Sequence, residues 1–89
     1  MFRAMSTHEF NRAVGRRIRF WRDERGYSTT SLATEIEVNP ITVQRHMRGE
    51  TAPRLEDIAS YARVLRVHVD DLLPRLDSNQ EPTGSGIAA

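Results

Sequence analysis

The sequence predicts an all-α fold, a compact domain of five short helices, and three observations carry that prediction. Apolar residues recur at three- and four-residue spacing from about residue 7 to residue 73. Capping residues with apolar pairs astride them mark the helix starts. Nowhere do apolar and polar residues alternate with the two-residue period of a half-buried strand. The 89 residues, 38% of them hydrophobic, suffice for one domain with a modest core, which argues against a deep substrate pocket.

The elements follow in order. Ser6-Thr7-His8-Glu9 has the form of a capping box, with Met5 and Phe10 as the hydrophobic staple across it. The helix it opens carries Phe10, Val14, Ile18 and Trp21 on one stripe. Arg12, Arg16 and Arg19 fall on its outer side, and it ends near Gly26. Ser28 caps a second helix from about Thr29 to Ile36, stapled by Tyr27 and Leu32. Asn39 caps a third, and Pro40 takes the first helical position, where its missing N–H costs nothing. Val38 and Val43 form its staple, and Gly49 stands where a left-handed residue is needed to stop it. Leu55, Ile58, Ala59, Ala62 and Leu65 recur at helical spacing for a fourth, with Glu56 and Asp57 in the first turn, where the helix dipole favours anions. Val67 and Leu72 repeat the staple spacing around His68, which predicts a fifth helix stopped by Pro74. The organisation expected is an N-terminal arm (1–6), one folded domain (7–74) and a polar, Gly-, Ser- and Pro-containing tail (75–89) that is disordered.

Composition narrows the function classes. There is no Cys, so a disulfide framework, a thiolate nucleophile and a zinc–thiolate site are excluded. No apolar run approaches the roughly 18 residues of a membrane span, and no signal-peptide core is present at the N-terminus. A soluble, cytoplasmic protein is expected. His8, His46 and His68 have no spacing that suggests a shared metal, and no nucleophile–base or paired-carboxylate arrangement falls in one segment. No cofactor, metal or catalytic residue is therefore assigned, and an enzyme is not expected. Net charge is only +1, but residues 10–54 hold nine Arg against five acids, and residues 55–89 three Arg against six. A basic face backed by an acidic end suits a polyanion partner.

The informative stretch is Ser28 to Gly49. Two short capped helices are joined by about three residues, too few to lay them antiparallel, so they cross steeply in a helix-turn-helix. Ala33 is small where the backbones must approach. Val43 and the 46–47 region face inward, which leaves Pro40, Ile41, Thr42, Gln44, Arg45 and Arg48 outside. Gln44 suits adenine, Arg45 can fork onto guanine, and Ile41 can meet a thymine methyl. Thr29 and Asn39 lie at helix N-termini, where backbone N–H groups and small polar side chains hold phosphates.

Val14-Gly15-Arg16-Arg17-Ile18-Arg19-Phe20-Trp21-Arg22, Leu32-Ala33, the turn with Gly49 and Pro53, and Ile58 to Leu73 together resemble the phage repressor/Cro-type (XRE-like) helix-turn-helix family. The resemblance covers about residues 13–73 and implies a lambda repressor-like domain that regulates transcription, usually as a homodimer on two-fold related half-sites of double-stranded operator DNA. It implies base readout by Pro40, Ile41, Thr42, Gln44 and Arg45. It also implies backbone contacts by Thr29, Asn39, Arg48 and Arg54, with Arg19 beside them. Three positions depart from the pattern. Glu37 stands where the turn usually has Gly, at a cost of roughly 1–2 kcal/mol if left-handed. Met47 stands where a Glu often pairs with the residue at Arg22, which is then expected to reach outward or find Glu50. His46 fills a slot that is usually aliphatic, as a partly buried, hydrogen-bonded core residue.

Two other occupants of the same fold fit the sequence. A helix-turn-helix can serve as a protein–protein interaction module, and Glu35 and Glu37 beside the turn weaken phosphate contact locally. Against a protein partner, Ile41 is the one large apolar residue among the outward positions of the third helix, where a protein-binding face usually shows several anchors. Within the DNA reading, a phage-type repressor and an antitoxin that represses its own operon share the pattern. A homodimer is expected to meet around Val69, Leu72, Leu73 and Leu76.

Overall fold

The structure, a computed structural model, describes residues 5–74. Four α-helices follow one another: α1 (Thr7–Arg25), α2 (Thr29–Ile36), α3 (Pro40–Arg48) and α4 (Leu55–Leu65), with a 3-10 turn at Val69–Asp71 after them. Among the described residues there is no strand. Residues 1–4 of the expected arm, the expected tail and Leu76 lie outside the described residues.

Local chemistry sets the boundaries. Ser6 Oγ accepts from the Glu9 N–H at 3.1 Å, and Glu9 Oε1 accepts from the Ser6 N–H at 3.0 Å, which closes a capping box on α1. Ser28 and Ser31 make the same reciprocal pair at α2, and Asn39 Oδ1 accepts from the Ile41 N–H at 2.9 Å to start α3. At α4 the carboxylate of Asp57 accepts from the Arg54 N–H at 3.1 Å. All four helices end on a left-handed residue, Gly26, Glu37, Gly49 and Arg66. After each, the next residue donates back to the carbonyl five positions earlier: Tyr27 to Arg22, Val38 to Ala33, Glu50 to Arg45 and Val67 to Ala62, all at 3.0 Å. This is the Schellman arrangement, which satisfies carbonyls that a helix end otherwise leaves open.

The five-helix expectation is corrected by the segment after Arg66. His68 to Leu73 forms no α-helix; its regular part is the single 3-10 turn Val69–Asp71. Asp71 donates its N–H to the His68 carbonyl and Leu72 donates to Val69, both at 2.9 Å, and the Asp71 carboxylate turns back to accept from the His68 N–H at 3.0 Å. These are three-residue closures. A six-residue segment bounded by Pro74 is too short to offset helix nucleation, and the tighter turn suits short pieces. The staple-like pair of Val67 and Leu72 is an attachment instead: Leu72 is fully buried in the core.

That core joins Val14 and Ile18 of α1, Leu32 and Ile36 of α2, Val43 of α3, Ile58, Tyr61 and Leu65 of α4, and Leu72. Arg25 ties the two ends of the domain together. Its Nε donates to the Leu65 carbonyl at 2.6 Å and one Nη to the Arg66 carbonyl at 3.3 Å, while its guanidinium lies 4.9 Å from the Trp21 ring centre. The last turn of α4 thus finds donors from α1.

Candidate nucleic-acid interface

The position of α3 is set by its inner side. Gly15, buried in the middle of α1, meets the backbone of α3 so closely that a Cβ there would stand 2.4 Å from the His46 carbonyl oxygen and 2.5 Å from that of Met47. A glycine inside a helix costs roughly 1 kcal/mol against alanine, and here it permits the two helices to touch. Val43 is fully buried below the crossing. His46 is 3% exposed, and its Nδ1 shares a 2.8 Å hydrogen bond with the Tyr61 Oη of α4, the imidazole tautomer deciding which group donates. Burial holds the imidazole below its ordinary pKa of 6.5, with the charge of Asp57 opposing. Burial and Asp57 together push the Tyr61 phenol upward, so the pair sits neutral at physiological pH.

Between α2 and α3, Glu37 takes the left-handed conformation (φ 62°, ψ 45°), with no rebuilding of the turn. The chain therefore turns as the glycine-containing version would, at the cost of backbone strain of roughly 1–2 kcal/mol. Val38 then packs back on the core, and Asn39 begins α3 in extended conformation.

With that inner side fixed, the outer side of α3 presents Pro40, Ile41, Gln44, Arg45 and Arg48 to solvent, while Thr42 is half-buried. Ile41 is 54% exposed, a large apolar side chain held open among polar ones. Asn39 is exposed but has its side-chain oxygen engaged in capping. Arg48 reaches Glu50 at 3.6 Å with both side chains more than half exposed, a pair that water screens heavily. Thr29 is half-buried at the first turn of α2, and Arg19 is exposed on α1; both stand with Gln44 and Arg48 around one cleft. Arg54 sits apart from that cleft, at the start of α4, with its side chain 80% exposed and a 3.6 Å contact to Glu56.

Two neighbours of the candidate site, Arg22 and Gly15, have no simple sequence signature. Arg22 does not reach Glu50; it donates to Thr29 Oγ1 at 2.8 Å and to Asp23 at 2.5 Å, and it lines the same cleft. Gly15 is visible in sequence only as a glycine inside a helical pattern, which signals close backbone approach. Of the residues expected at a homodimer contact, Leu72 is core and unavailable, Leu73 is half-buried against the core, and Val69 is 39% exposed. No helix among the described residues is long and apolar enough to cross a membrane.

A family model described as a helix-turn-helix domain matches residues 13–76. Among solved structures, the restriction-modification controller protein C.AhdI from Aeromonas hydrophila is similar over 71% of this chain and 96% of its own, with 25% identity and a TM-score of 0.68. The clp gene regulator ClgR from C. glutamicum is similar over 70% of this chain and 80% of its own, at 27% identity and a TM-score of 0.67. The P22 c2 repressor, solved in complex with a synthetic operator, is similar over 67% of this chain and 91% of its own, at 27% identity and a TM-score of 0.64. No curated protein sequence matches the chain.

Proposed function

The chain belongs to the phage repressor/Cro-type helix-turn-helix family of DNA-binding transcription regulators, and we propose that it acts by laying α3 in the major groove of an operator. The observation that carries this reading is the division of α3 into two sides. Its inner side is locked by Gly15, Val43 and His46, and its outer side offers Ile41, Gln44, Arg45 and Arg48 to solvent. Such a mix matches a base-pair edge: a bidentate guanidinium for guanine, an amide for adenine and an aliphatic group for the thymine methyl. Pro40 and Thr42 flank these readers. Arg19, Thr29, Asn39, Arg48 and Arg54 supply phosphate contacts that fix the register without reading sequence.

The likeness to a repressor held on a synthetic operator, to a clp gene regulator and to a restriction-modification controller protein supports a regulatory DNA site as the partner. A single recognition helix buries little surface, so two copies on two-fold related half-sites complete the reading. The protein then acts in the cytoplasm as a binding protein and not as a catalyst. Selection of bound sites from random duplex DNA, with wild type and Arg45→Ala in parallel, tests it. An enriched motif that loses one position in the variant supports direct readout, and a palindrome supports the paired arrangement. Absence of any enriched motif overturns the proposal and turns attention to a protein partner for the same helix.

A further inference from the structure

Where α1, the first turn of α2 and the second half of α3 meet, a cleft of about 140 Å³ is lined by Arg19, Arg22, Thr29, Gln44, Met47 and Arg48. Its polar walls are three guanidiniums, one hydroxyl and one amide, with no carboxylate among them. A guanidinium has donors only. Arg22 lies deeper than Arg48: its side chain is 20% exposed against 66% for Arg48. One Nη of Arg22 donates to Thr29 Oγ1 at 2.8 Å, the other donates to the Asp23 carboxylate at 2.5 Å, and the Nε–H is buried without a partner.

The Arg22–Thr29 bond has a chemical consequence. A hydroxyl has one proton and two lone pairs. Since the Thr29 oxygen accepts from a guanidinium, its proton points away from Arg22, and a donor bonded through its oxygen to a cation is strengthened by polarisation. Thr29 is thereby converted into a donor beside Arg19 and Arg48. Every charged or hydroxyl group lining the cleft then offers hydrogen, the chemistry of an oxyanion seat, while Asp23 and Glu50, which pair with Arg22 and Arg48, are not among the lining residues. Gln44 and Arg48 belong both to this cleft and to the outer side of α3. A strand flanking α3 in the groove therefore passes over the cleft.

We propose that Arg22 completes the phosphate contact assigned above to Arg19, Thr29 and Arg48 at this cleft: it aims the Thr29 hydroxyl and adds its own charge to the seat. The proposal rests on the reading of α3 as the groove helix and adds a residue to that interface. The shared chemistry is a phosphate oxyanion, and the source assigned is the duplex rather than a free anion.

The test is affinity for a random-sequence duplex measured across a salt series with the full chain, for wild type, T29V, R22Q, R22K, the T29V/R22Q double variant and R48A, with thermal melting of each as the fold control. T29V is expected to lose about tenfold in affinity, the order expected for a hydrogen bond to a charged group, with its salt slope unchanged. R22Q is expected to lose affinity and to flatten the slope of log K against log salt by about 0.9, the value for one phosphate charge. The double variant should bind no worse than R22Q, because without Arg22 the hydroxyl is no longer aimed, and R22K should restore the slope. Strictly multiplicative losses in the double variant would overturn the positioning role. A wild-type slope in R22Q, with R48A flattened, would overturn the seat and leave the groove reading standing. Unchanged slopes in both would overturn seat and groove reading together. Inorganic phosphate at constant ionic strength supplies the other arm. Saturable thermal stabilisation that R22Q abolishes, without any change in its DNA slope, would reassign the cleft to a free anion and overturn the duplex as its source.

Discussion

Gly15→Ala separates the packing account of α3 from simple helix propensity, because the two give opposite signs. Propensity alone makes alanine better than glycine in a helix interior by about 0.8–1.0 kcal/mol. The structure places the new Cβ 2.4 Å and 2.5 Å from two carbonyl oxygens of α3, about 1 Å short of the 3.4 Å at which ordinary contact begins. Both obstacles are backbone, so no side chain can swing aside and α3 itself must retreat. Overpacking of this kind costs roughly 1–3 kcal/mol. The retreat also disturbs two bonds made by the same residue. The His46 carbonyl accepts from the Gly49 N–H at 3.1 Å, and its imidazole is tied to Tyr61 at 2.8 Å. After the propensity gain is set against these losses, a net destabilisation of about 1–2 kcal/mol is expected. In a domain of this size that lowers Tm by about 4–16 °C. Thermal and urea unfolding measure the stability, and a DNA titration at a temperature where the variant is fully folded measures how far α3 has moved. A Gly15→Ala variant that melts at or above wild type would refute the close crossing.

Four shorter predictions accompany it. Glu37→Gly removes the left-handed strain at the α2–α3 turn and should raise stability by about 1 kcal/mol; a lower Tm would contradict that. Because burial depresses the His46 pKa below 6.5, the unfolded chain takes up this proton before the folded one as pH falls. The resulting stability is present above the unfolded value and drains below pH 6.5, with a limiting slope of about 1.4 kcal/mol per pH unit. His46→Gln should therefore flatten the urea-unfolding profile between pH 6.5 and 5, and an unchanged profile sinks the argument. Arg25→Ala should lose about 1 kcal/mol by removing the donor to the Leu65 carbonyl, with Arg25→Lys failing to restore it in the same unfolding assay. Arg45→Ala should cost roughly 1–3 kcal/mol at one base position, whereas Arg48→Ala should weaken binding to all sequences and flatten the salt slope; identical effects from both in binding titrations would erase the distinction between reader and anchor.

The sequence made the helix starts legible because their causes are local. Ser6, Ser28 and Asn39 each satisfy a backbone N–H within two or three residues, a relation that spacing alone reveals. The same reasoning failed at His68, where a staple-like spacing belongs to a side chain inserted in the core and not to a helix. Burial of Leu72 is decided by α4 and by the length before Pro74, neither of which a local pattern weighs. In the candidate site, the outward side of α3 follows from helical periodicity, so Ile41, Gln44 and Arg45 could be placed. Arg22 could not: its partner Thr29 is seven residues away across the α1–α2 turn, and only the folded chain brings the two together. Arg25 was equally hidden, since the carbonyl it satisfies lies forty residues downstream.

What the structure adds is a reason for the separation between holding α3 and using it. Nine residues are too few to be helical on their own in water, so the order of α3 must come from outside it. It comes from Asn39 and Pro40 at one end, Gly49 at the other, Gly15 at the crossing, and Val43 and His46 below. None of these needs the side chains of Ile41, Gln44 or Arg45. A reading helix ordered before it meets DNA loses less to conformational entropy on binding. On the proposed reading, substitutions at those three outward positions are then free to change which base pairs are favoured while leaving the fold intact. Substitutions at Gly15 or His46 change the placement of all three of these side chains together. On the proposed reading, specificity is thus set by a few exposed side chains, and the buried contacts set how those side chains are aimed.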